Sequence, residues 1–159
     1  MQRDGGSAMV GLDLAALLRE GVAVVVATAD ADLRPQIARG WGPELAPDGA
    51  TLSLCVGAPP QSRTRANLDR GGVVAATFSL PSTYRTVQLK GPVLAAREPT
   101  PEQLARVEEH LAGFIEQAAQ VGLSPALGPR LRERALVAVE MAIRERYDQT
   151  PGPRAGSRL

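Results

Sequence analysis

Ser62, Arg63, Thr64 and Arg65 stand in succession just after Pro59-Pro60, at the head of a run of helix formers. The first turn of a helix carries backbone N–H groups without intrahelical partners. Two hydroxyls and two guanidinium groups beside them make a cradle for a phosphate monoester held without metal. Other reactive groups are few. His110, the single histidine, lies on a long helical stretch among Glu108, Glu109 and apolar residues, and reads as a partly exposed helix residue with no base or ligand role. Cys55, the single cysteine, alternates with Leu54 and Val56 on a strand, where a thiol behaves as a small core residue. The chain has no Walker-type phosphate loop, no G-x-G-x-x-G after a strand and no H-E-x-x-H.

The elements that must position these groups are written in the periodicities. Asp13 offers an N-cap before Leu14, Leu17 and Leu18, which share one face of a short helix that Gly21 ends. Val22 to Ala29 is an apolar, β-branched strand running into a turn that closes on Pro35. Residues 36–45 make a weaker strand, broken by Gly40, Gly42 and Pro43, and Thr51 to Gly57 alternates strictly, so the first three strands read as an antiparallel meander. After the helix opened by Ser62, Gly71-Gly72 leads into the strand Val73 to Ser79. From Tyr84 the pattern alternates again, with Thr86, Gln88 and Lys90 on a polar face and Gly91-Pro92 marking a bulge or strand edge.

Thr100-Pro101-Glu102-Gln103 combines an N-cap, a first-turn proline and a capping-box glutamine, and the stripe from Leu104 to Ala118 predicts a helix stopped by Gly122. Val137, Val139, Met141 and Ile143 alternate as a last half-buried strand. Residues 1–10 read as a flexible terminus, 11–148 as one domain and 149–159 as a loop-like tail. Hairpin-joined strands without regular strand-helix alternation predict an α+β fold, an antiparallel six-stranded split β-barrel with flanking helices.

Composition narrows the function classes. At 159 residues the chain suits one core, and a net charge of +1 with interleaved signs gives no overall field for nucleic acid or an anionic membrane. The longest apolar stretch, Val22 to Ala29, falls well short of the roughly 20 residues of a spanning helix. With a lone cysteine and no apolar run in the first ten residues, the expected location is the cytoplasm.

The segment Ser62-Arg63-Thr64-Arg65-Ala66-Asn67-Leu68 resembles the S-R-K-x-x-x-L stretch of the pyridoxamine 5'-phosphate oxidase-like FMN-binding split-barrel family. The element order, the strand with Ala38-Arg39, the strand Thr86-Val87-Gln88-Leu89-Lys90-Gly91 and the ending from Tyr147 to Pro153 resemble it too, so the likeness covers roughly residues 12–150. Thr64 and Glu44 stand where the oxidases carry lysine.

The resemblance implies FMN as cofactor, with Arg39, Ser62, Arg63, Thr64 and Arg65 at its phosphate and ribityl chain and Thr86 and Gln88 near the isoalloxazine or its phosphate arm. It implies a flavin-dependent oxidoreductase acting on a small-molecule substrate, and a homodimer with the cofactor site at the subunit interface. A deazaflavin or haem in the same barrel, or a non-enzymatic flavin-binding or regulatory domain, are the alternatives it leaves.

Overall fold

The structure, a computed structural model, describes residues 14–159; the expected flexible terminus at 1–10 and the Asp13 cap lie outside the described residues. Residues 14–19 form helix α1, with Leu14, Leu17 and Leu18 buried as their spacing predicts. There follow β1 (Ala23–Ala29), β2 (Pro35–Leu45), β3 (Thr51–Gly57), α2 (Arg63–Asp69), β4 (Val73–Ser79), β5 (Thr86–Arg97) and α3 (Pro101–Gln120). A short 3-10 turn (Pro125–Leu127) leads to α4 (Gly128–Leu131), β6 (Leu136–Ala142), β7 (Glu145–Asp148) and β8 (Ser157–Arg158).

Every strand pairing is antiparallel. The order β4-β1-β2-β3-β6-β5 closes through pairing of β4 with β5, giving the expected six-stranded barrel, and β7 and β8 extend outward from β5. Alternation fills the interior: Val24 and Val26, Leu52, Leu54 and Val56, Ala76 and Phe78, Leu89, and Val137, Val139 and Met141 share one core. Helices plug the two mouths, with Leu17 of α1 entering at the start of β1 and Leu68 of α2 at its end; both are only 1% exposed.

Helix α3 has the expected capping box, with Thr100 Oγ1 accepting from the Gln103 N–H and Gln103 Oε1 from the Thr100 N–H. It lies outside the barrel against β2 and β3, forming a second apolar cluster of Trp41, Cys55, Val107, Leu111 and Ala138. Cys55 is therefore the expected core residue, although it points outward from the barrel.

Three features depart from the expectations. β2 is a full eleven-residue strand, because its glycines serve packing and a bulge between Trp41 and Glu44. β5 runs unbroken through Gly91-Pro92, and its irregularity falls later, between Val93 and Ala95. Gly91 is there for space: a Cβ would come within 1.7 Å of the Ala142 carbonyl oxygen, where β6 crosses. The tail from 149 is not loop throughout, since a turn over residues 153–156 brings it back so that β8 pairs with β7, Tyr147 opposite Arg158 and Asp148 opposite Ser157.

Candidate functional site

The barrel register gathers part of the expected site. On the outer face Arg39 stands opposite Val25, Val25 opposite Thr77, Thr77 opposite Gln88, and Gln88 opposite Tyr147, a single row across β2, β1, β4, β5 and β7. Counted either way round the closed barrel, β2 and β5 are three strands apart, so Arg39 and Gln88 lie on opposite sides of it, and Arg39 faces instead the outer patch that β2, β1 and β4 form. Thr86, two residues from Gln88 on the same strand face, stands opposite Ser79. The patch is partly apolar and uncovered: Val25, Ile37 and Val73 are 43%, 71% and 65% exposed.

Cross-strand bonds hold the polar groups of the row in place. Gln88 Nε2 donates to Thr77 Oγ1 at 3.0 Å, which leaves the amide oxygen open. Thr86 Oγ1 donates to the Tyr84 carbonyl at 2.9 Å and lies 2.8 Å from the Ser79 hydroxyl, while the Thr86 N–H donates to Thr150 Oγ1. Arg39 lines a shallow groove of about 480 Å³ together with Val25, Ile37, Trp41 and Phe114.

The residues of α2 are placed differently from one another. Helix α2 crosses the barrel mouth against β1 and β2, held by Asn67 Nδ2 to Thr28 Oγ1 at 3.1 Å and Arg70 Nη2 to the Ala29 carbonyl at 2.7 Å. Ser62 is its N-cap, accepting from the Arg65 N–H. Thr64 is buried against the barrel, and Arg65 Nε is held by both carboxylate oxygens of Asp69 at 3.0 Å. Arg63 is exposed and makes no ion pair with any described residue. The four side chains therefore do not converge on one point: Arg63 projects outward and Thr64 inward.

Two arrangements had no clear signal in the sequence. Beside Gln88, Lys90 Nζ sits 4.9 Å over the Tyr147 ring, and the Tyr147 hydroxyl donates to Glu145 Oε2, which raises the phenol pKa. The Tyr147 ending was visible, but its pairing with β5 was not.

The second arrangement surrounds His110, which is buried and not partly exposed as its flanking glutamates suggested. The Gly42 N–H donates to His110 Nδ1 at 3.1 Å, so the neutral ring carries its proton on Nε2. Burial pushes the imidazole pKa down to about 4, outweighing the Val22 carbonyl, which favours the charged form but makes no hydrogen bond of normal geometry. Trp41 packs edge-on against His110 and Phe114, at 5.7 and 6.0 Å between ring centroids. Burial likewise raises the Cys55 thiol, more than the Arg106 charge lowers it.

Among the described residues, no cluster of His, Cys, Asp or Glu could hold a metal ion, and no helix is long and apolar enough to cross a membrane.

No protein-family model and no curated protein matches the sequence. Solved structures do match the fold. HupZ from Group A Streptococcus superposes with a TM-score of 0.53 at 15% identity, over 91% of this chain and 98% of that one. A putative pyridoxamine 5'-phosphate oxidase from Lactobacillus delbrueckii gives 0.51 at 16% identity, over 85% and 90% of the two chains. An F420 reductase gives 0.52 at 18% identity, over 82% and 93%. At such identities the likeness is one of architecture, and the chain has the α+β split-barrel fold found in pyridoxamine 5'-phosphate oxidase-like proteins.

Proposed function

We propose that this chain binds FMN and acts as a flavin-dependent oxidoreductase on a small-molecule substrate, as a homodimer with the cofactor between subunits. The observation that carries the reading is the uncovered apolar strip of the outer face around Val25 and Ile37, with Arg39 beside it on β2. A planar, amphipathic ligand matches such a strip, and the exposed Val25, Ile37 and Val73 suit a self-complementary surface.

The residues present fit the group. The polar set is guanidinium, hydroxyl and amide, which suits a phosphate and a heteroaromatic edge without metal. Because α2 has only seven residues, side chains and not the helix terminus supply the attraction. Arg63 and Arg39 would hold the phosphate, with Ser62 and Arg65 beside it, while the Gln88 amide oxygen and Thr86, on the opposite side of the barrel, would meet the ring edge of the flavin across the subunit interface. Thr64 is buried and would serve as support. FMN, when bound, supplies the hydride chemistry; the chain supplies position, charge and exclusion of water.

A deazaflavin is the second reading, favoured by one observation: Thr64, where the oxidases carry lysine, turns its side chain into the protein and offers no charge to a terminal phosphate. Titration decides between them. Saturable quenching of FMN fluorescence, with light scattering at twice the chain mass, is the expected result. A protein that stays monomeric and quenches neither FMN nor a deazaflavin overturns the reading.

A further inference from the structure

The residues assigned above to the flavin are cationic or uncharged, and none is an anionic acceptor, although the chain between flavin ring and phosphate is a row of hydroxyls. We propose that the Glu133 carboxylate accepts from those ribityl hydroxyls and so makes the site selective for a flavin with a polyhydroxylated side chain. This role rests on the flavin reading and adds to it a residue outside the segment that opens α2.

Packing places the carboxylate. Glu133 lies between α4 and β6, and its carboxyl group rests against Gly57, the last residue of β3. Val56 faces the core, so alternation turns Gly57 to the outer side of the barrel. A Cβ on Gly57 would come within 2.7 Å of Glu133 Cδ and 2.9 Å of Oε2. The backbone of Gly57 does not have the positive φ that requires glycine, so the missing side chain serves as room for the carboxyl group.

Register brings a guanidinium to the same notch. Gly40 pairs with Val56, so the next residues along, Arg39 and Gly57, are neighbours across β2 and β3, about 5 Å apart at the backbone. Arg39 and Glu133 are both exposed, and neither makes an ion pair with any described residue, the other included. A ligand between them must donate to one and accept from the other, which is the chemistry of a polyol phosphate.

The notch lies at the barrel end that α2 closes. Ala58 to Gln61 link Gly57 to Ser62, and the Ala58 N–H donates to the Ala135 carbonyl at 2.9 Å, which ties the Glu133 segment to the loop that leads to Arg63. Arg39 and the exposed Arg134, next in the chain, offset the carboxylate charge, so a phosphate at Arg63 meets no uncompensated anion. Arg132, on the other side of Glu133, is already paired with Glu108 at 2.8 Å.

The test is fluorescence titration of the full chain with riboflavin, which has the hydroxyls but no phosphate, and with lumiflavin, which has a methyl group in place of the whole side chain. Wild-type protein should bind riboflavin at least about tenfold more tightly than lumiflavin. Glu133→Ala should weaken riboflavin binding by about tenfold to a hundredfold, because hydrogen bonds to a charged acceptor are lost, and leave lumiflavin unchanged. Gly57→Ala, whose methyl group displaces the carboxyl group, should weaken riboflavin in the same direction. Equal wild-type affinity for the two flavins overturns the proposal, as does a Glu133→Ala protein in which riboflavin is unaffected or lumiflavin weakens equally. The wild-type comparison needs no variant, so it stands even if Glu133→Ala fails to fold. Wild-type protein that binds no flavin, FMN included, overturns the flavin reading as well, whereas FMN binding with equal affinity for riboflavin and lumiflavin overturns the role of Glu133 alone.

Discussion

Acidification should destabilise this protein through His110 before its carboxylates titrate. The folded chain holds the imidazole pKa at about 4 where an unperturbed histidine sits at 6.5, because charging it would bury a cation beside Trp41 and the α3 backbone. Between those values the unfolded chain binds more protons than the folded one, so stability is full above about pH 6.5 and falls as pH drops towards 4. Linkage at about 1.36 kcal/mol per pH unit gives a loss of about 2 kcal/mol by about pH 5 and about 3 kcal/mol by about pH 4. For a domain whose net stability is about 5–15 kcal/mol, that is a large fraction.

The assay is urea unfolding at several pH values for the wild type and for His110→Gln, which cannot gain charge at this position. Asp148, whose pKa is lowered first by the Thr150 N–H, loses its own contribution as pH falls through that depressed value, in both proteins equally. The difference between the two proteins therefore isolates the imidazole. The wild type should lose about 2 kcal/mol more than His110→Gln between neutral pH and about pH 5. Parallel stability profiles would refute the buried, neutral assignment.

Three further outcomes follow from named contacts. Arg63→Ala should weaken FMN binding by about tenfold to more than a hundredfold, since a charged hydrogen bond is worth about 1.5–3 kcal/mol, while the Tm of the cofactor-free protein hardly moves; unchanged affinity by fluorescence titration would remove Arg63 from the phosphate site. Leu68→Ala should cost about 2–5 kcal/mol in chemical denaturation, because that side chain plugs a barrel mouth at 1% exposure and leaves a cavity there. The Cys55 thiol, buried and raised in pKa, should react with an aromatic disulfide reagent only after unfolding; rapid reaction of the native protein would contradict its packing under α3.

Much of the frame was legible from residue types alone. Strict alternation in Thr51 to Gly57 and the apolar run from Val22 fixed β1 and β3, and the Thr100 to Gln103 signature fixed the start of α3, because period and capping are local properties. Arg39 and Gln88 could each be named as site candidates, yet nothing local says that they stand on opposite sides of the barrel. That depends on β1 and β4 lying between them, a matter of register across non-neighbouring segments. Tertiary structure also decided the fate of individual side chains on single elements: it split Ser62, Arg63, Thr64 and Arg65 between cap, solvent and core, and it buried His110. The flanking glutamates describe one side of α3, while burial of the imidazole depends on the bulged strand that α3 covers, more than sixty residues earlier in the chain. Two-residue β8 had no period to read and exists only because β7 offers an edge to pair with.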